Sequence, residues 1–95
     1  MSISEVIENN NFPNTETGHH IARTESMAFF IRLVEDLTYS EVIGTNYNRE
    51  NEVLTFALIN YDKILRVDIY GDSLQACTRD IVMQTHAFLC NNKRI

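Results

Sequence analysis

The chain has no tryptophan, a single proline at Pro13, and three glycines, Gly18, Gly44 and Gly71. None of these glycines stands in a phosphate-loop or dinucleotide-binding spacing, which excludes nucleotide chemistry built on such loops. Long apolar runs are missing as well. The longest, Met27 to Ile31, falls far short of the ~20 residues that a spanning helix requires. Cations are scarce, with 8 basic against 13 acidic side chains and a net charge of -5, so non-specific attraction to a phosphate backbone is disfavoured. Cysteine is limited to Cys77 and Cys90. Both fall on one predicted helix, about 20 Å apart at the usual 1.5 Å rise, well beyond the ~7 Å between alpha carbons that a disulfide allows. Free, buried thiols are expected. The segment Met1 to Asn11 carries Glu5 and Glu8 and no basic region ahead of an apolar stretch, unlike a secretory signal. The expectation is a cytoplasmic protein with no membrane partner.

What is present is one modest core: 95 residues, 44% of them hydrophobic, suit a single domain. Residues 1–23 read as a partly ordered arm, because Asn9, Asn10, Asn11, Pro13, Asn14, Thr15 and Gly18 favour turns over packing. Residues 24–95 read as the domain proper. Met27, Phe30, Ile31, Val34 and Leu37 recur at three- and four-residue steps and mark the apolar face of a helix, with Thr24 as its expected N-cap and Thr17 as an earlier start. Three strands follow, Tyr39 to Thr45, Glu52 to Ile59 and Ile64 to Tyr70, joined by short Asn-rich or polar turns that imply an antiparallel meander. The last helix runs from the Gly71 corner to about Asn91, with Asp72 and Gln75 as a capping box. Leu74, Cys77, Ile81, Phe88 and Leu89 form its apolar side, widened by Ala76, Met83 and Ala87. The predicted fold class is α+β: a two-layer α-β-β-β-α domain with a three-stranded antiparallel sheet and both helices on one face.

Strand alternation then defines a second sheet face. With Leu54, Phe56, Leu58, Leu65, Val67 and Ile69 turned to the helices, the pleat sends Val53, Thr55, Ala57, Ile59, Ile64, Arg66, Asp68 and Tyr70 outward. Ile43 and Tyr47 are expected to join them from the first strand. An antiparallel sheet ordinarily turns a polar face to water, and this one is too apolar for that. The candidate partner-binding residues are Ile43, Tyr47, Val53, Thr55, Ile59, Arg66, Asp68 and Tyr70, an apolar patch with two orienting charges. The competing expectation is that Val6, Ile7 and Phe12 of the arm cover this face.

Catalytic constellations are harder to assemble. Ser73 and His86 lie about 20 Å apart along one helix, so no Ser-His pair forms there. Cys77 has no histidine near it in sequence, and Glu35 and Asp36 point apart on a solvated face. His86 and Cys90, four apart, have metal-ligand spacing, with His19 and His20 as conceivable partners, but no paired motif completes a site. The reading is therefore non-enzymatic, with no catalytic residue, metal or cofactor assigned. The helix, three strands, helix order resembles that of double-stranded RNA-binding domains, which implies nucleic-acid binding through basic side chains at the start of the second helix. Here that position reads Asp72, Ser73, Leu74, Gln75, with Arg79 the nearest cation. The resemblance thus stops at topology, and nucleic acid is a disfavoured partner.

The functional expectation is a small acidic protein-protein interaction module, a homodimer or a binder of another protein, that associates through the outer sheet face. Three alternatives stand beside it. One is an acidic inhibitor or regulator, of phage or mobile-element type, acting on a nucleic-acid-handling enzyme. The others are the RNA-binding-like module and a small enzyme or ligand-binding protein using the open face.

Overall fold

The protein's structure, a computed structural model, describes residues 12–95. The contacts expected of Ile3, Val6 and Ile7 lie outside the described residues. Helix α1 spans Glu16–Glu25 and α2 Met27–Thr38, so a helix occupies residues 16–23 of what the composition marks as arm. Its start is capped by Thr15, whose extended backbone lets Oγ1 accept the Gly18 N–H at 2.9 Å. Glu16 adds negative charge to the positive first turn. Thr24, the expected cap, is instead inside α1 and donates its hydroxyl to the His20 carbonyl. The break between the helices is a single residue: Ser26 closes α1 through its N–H to the Ala22 carbonyl and opens α2 through its own carbonyl to Phe30. Helix α2 ends on Tyr39, held left-handed at φ 54° with its N–H on the Glu35 carbonyl.

The sheet follows in sequence order, with β1 (Val42–Asn48), β2 (Val53–Leu58) and β3 (Leu65–Asp68) pairing antiparallel as β1-β2-β3. The α+β meander is as read from the alternation. Strand β1, however, begins and ends later than expected, and its register shifts between Val42 and Gly44. A bulge supplies one unpaired residue, Ile43, and reverses the parity of the strand on its two sides. Helix α3 (Leu74–Asn91) closes the chain. Its cap is Ser73, whose hydroxyl accepts the Ala76 N–H at 3.1 Å, one residue later than the expected Asp72.

One apolar cluster joins the elements. Phe30 and Val34 of α2, alternate residues Leu54, Phe56, Leu58, Leu65 and Val67 of the strands, and Leu74, Cys77, Ile81 and Phe88 of α3 form it. The strand residues are those whose alternation assigned them to the helices. Met83, expected to widen the apolar stripe of α3, is instead 66% exposed. The outer edge of β3 is closed by side chains of α3. Gln84 accepts the Asp68 N–H at 2.8 Å and donates to the Asp68 carbonyl at 2.7 Å, as a neighbouring strand would. Asp80 accepts the N–H groups of Tyr70 and Gly71 at 2.8 and 2.9 Å. Such cover removes one free sheet edge as a pairing template.

Candidate partner-binding face

The register decides which side chains share the outer face. Residues directly opposite in an antiparallel pair project to the same side, so the pairs Gly44↔Ala57, Asn46↔Thr55, Thr55↔Arg66 and Val53↔Asp68 lie on the side away from the core. Arg66 and Asp68, two apart on β3, approach to 3.5 Å as a solvated ion pair. Tyr70 is 80% exposed. Thr55 is half-buried, and Val53 is buried without belonging to the main core cluster. Ile43, Ile59 and Ile64 stand out most. They are 62%, 52% and 55% exposed: Ile43 is the bulge residue before Gly44, Ile59 follows β2, and Ile64 precedes β3, where with Arg66 it also borders Gln84 and Phe88 of α3.

Tyr47 does not belong with them. It pairs with Leu54, a core residue, and packs against the core cluster. The bulge at Ile43 explains the correction: Val42 and Tyr47 have opposite parity in sequence, yet they pair with Leu58 and Leu54, which share the helix side. Of the eight candidates, Thr55, Arg66, Asp68 and Tyr70 therefore accompany Ile43 and Ile59 outside, Val53 lies among them but buried, and Tyr47 is on the other side.

Tyr47 instead anchors a polar cluster that apolar patterning does not mark. Its hydroxyl is 2.6 Å from His20 Nδ1 and accepts Arg23 Nη1 at 2.9 Å. Arg23, only 2% exposed, also donates to Glu52 Oε1 at 2.7 Å and to the Gly71 carbonyl at 2.8 Å. One guanidinium thus ties α1 to β1, to the β1–β2 turn and to the corner before α3. Burial pulls the Arg23 pKa down, but the hydrogen bonds to Glu52 and Tyr47 outweigh it, and the net shift is upward. Glu52 is shifted the other way, its carboxyl lowered by the hydrogen bond from Arg23. Glu52 also holds a left-handed backbone at φ 55°, a conformation that costs a non-glycine residue on the order of 1 kcal/mol. Every Arg23 partner is a structural group, and the cluster offers no nucleophile beside a base. Its chemistry is that of a clamp.

Cys77 packs beneath this cluster, with Sγ donating to the Gly71 carbonyl at 3.4 Å. Burial pushes its thiol up to about 11 from 9.0, so it is no nucleophile near neutrality. Both cysteines are free, but only Cys77 is buried, and Cys90 is exposed, contrary to the expectation of two buried thiols. An alkylating reagent at pH 8 is expected to label Cys90 rapidly and Cys77 only at the rate of unfolding, as intact-mass time courses would read. Because the folded pKa of Cys77 is raised, the stability it lends is full below pH 9 and is lost as pH rises from 9 toward 11. Equal labelling rates for the two thiols would contradict this placement.

His19 and His20 do not meet His86 and Cys90, and among the described residues no three histidine, cysteine or acidic side chains cluster as metal ligands. No described helix is long and apolar enough to cross a membrane. Comparison with protein-family models, curated proteins and solved structures found no match to this chain.

Proposed function

We propose that the protein is a small non-catalytic interaction module that pairs with a second copy of itself through the outer face of its sheet. The observation that carries this reading is the group of exposed isoleucines at one end of the sheet, Ile43 in β1, Ile59 just after β2 and Ile64 just before β3. Gly44 and Ala57 pair across β1 and β2, and a Cβ built on Gly44 comes no closer than 3.8 Å to that of Ala57. The middle of the face is therefore flat and open to a facing surface. Arg66 and Asp68 supply the charge complementarity. Opposite charges two residues apart on one strand match their own copies under a two-fold axis, so the two intramolecular pairs are exchanged for two across the interface.

The face is small. Three strands ~4.8 Å apart, each of about six residues at ~3.4 Å, cover much less than the ~800 Å² per partner of a standard stable interface. Association is thus expected to be reversible and micromolar rather than nanomolar. Sedimentation velocity over a concentration series, with chelator present, should show a monomer-dimer equilibrium. Arg66→Glu combined with Tyr70→Ala places like charge opposite like charge and removes an exposed ring, and should leave monomer throughout. A double variant that associates as wild type does would overturn the proposal.

A further inference from the structure

We infer that His86 and Cys90 are half of a tetrahedral zinc site, completed by His86 and Cys90 of a second copy whose α3 packs against the first. The two residues stand four apart on α3, on neighbouring turns of one helix face. Both are exposed, and Cys90 Sγ lies 3.8 Å from His86 Nε2. Zinc takes thiolate at about 2.3 Å and imidazole nitrogen at 2.0–2.1 Å, and a tetrahedral angle between them separates sulfur from nitrogen by ~3.6 Å. The pair therefore matches one edge of a zinc tetrahedron with almost no rearrangement. The chain offers no third ligand for it among the described residues. A two-fold axis supplies the other two by repetition.

The surroundings favour a second copy as the source. His86 also lines an apolar groove of about 400 Å³ between α2 and α3, with Leu37, Val82, Met83 and Leu89. Met83 projects from this groove at 66% exposure. An unbranched, adaptable side chain beside an apolar groove is self-complementary, because each Met83 can enter the groove of the other copy. Each thiol releases its proton to solvent as its Zn–S bond forms, so Zn²⁺ with two thiolates and two neutral imidazoles carries no net charge. A neutral centre incurs little desolvation cost among these apolar side chains. This contact uses the exposed side of the helices, away from the outer sheet face, and it stands whether or not that face pairs.

The test uses the full chain carrying Arg66→Glu and Tyr70→Ala, which isolates this contact from association through the sheet. The protein is kept reduced, stripped with chelator and dialysed, then titrated with Zn²⁺ during sedimentation velocity and separately with Co²⁺ for its absorption spectrum. The expected result is a doubling of mass that saturates at one zinc per two chains, reversal by chelator, and a thiolate-to-cobalt charge-transfer band. Adding Cys90→Ser or His86→Gln, both at exposed positions, should abolish the mass change while circular dichroism melts remain as before. The inference is overturned by stoichiometric zinc that leaves the mass unchanged, by dimerisation that survives Cys90→Ser, or by cobalt binding without a thiolate band.

Discussion

Arg23→Met is expected to lower the melting temperature by roughly 12–24 °C. Removing the guanidinium leaves the buried Gly71 carbonyl with only the Cys77 thiol as donor and strips the Tyr47 hydroxyl of one partner. An unsatisfied buried polar group costs about 1–3 kcal/mol. Glu52, half-exposed, is rehydrated and adds little. The total is ~3 kcal/mol, and a domain of this size loses about 4–8 °C per kcal/mol. Glu52→Gln should cost under ~1 kcal/mol, because the hydrogen bond persists and the lost charge attraction is screened by water. The Glu52 carboxyl is lowered in the folded state, so its contribution is present above the usual carboxylate range and fades as pH falls through the folded value. Thermal melts of the two variants across pH 3 to 7 check both statements. A shift of only a few degrees for Arg23→Met would mean that α1 is held by something other than the clamp.

The second large effect is expected at Gly71. A methyl group there would meet the Ala76 carbonyl carbon, the Ala76 Cβ and the Cys77 nitrogen, all at 2.6 Å. Two of these atoms are backbone of the first turn of α3, so no side chain can swing aside. The turn must move away from the corner, and with it the Gly71 carbonyl that receives Arg23 and Cys77. Overpacking of this kind costs about 1–3 kcal/mol, and weakening the clamp adds to it. Gly71→Ala should therefore destabilise urea unfolding by at least ~2 kcal/mol. Combined with Arg23→Met, the losses should fall short of additive, since both act on the same carbonyl. Full additivity would separate the corner from the clamp.

These two positions also show how far the sequence could be read. The strands, their inward residues and α3 were legible because Leu54, Phe56, Leu58, Leu65 and Val67 alternate cleanly and the connections are short. Helix α1 was legible only as the alternative start at Thr17, because its buried side chains are polar. His20, Arg23, Met27, Phe30, Val34 and Thr38 follow one another at steps of three and four and turn toward the interior. Apolar periodicity registers only the middle of that series. The stripe continues backward through an imidazole and a guanidinium whose partners, Tyr47, Glu52 and Gly71, are distant in sequence. Helical spacing of polar residues in phase with an apolar stripe was the available signal.

Tyr47 departs from strand alternation for a different reason. Period-two reasoning assumes an unbroken pleat, and one extra residue at Ile43 reverses every assignment beyond it. Gly44, whose position on the outer face leaves room for a flat surface, was the local hint of an irregularity. On β2 and β3, where no bulge intervenes, Thr55, Arg66 and Asp68 fell on the expected side.

Self-association through the outer sheet face is tested residue by residue by a dilution series of amide spectra in nuclear magnetic resonance, with chelator present. Concentration-dependent shifts are expected at Ile43, Gly44, Ala57, Ile59, Ile64, Arg66 and Asp68, with His20, Arg23 and the core of α2 unmoved. Spectra that do not change with concentration, or changes confined to the helices, would contradict it.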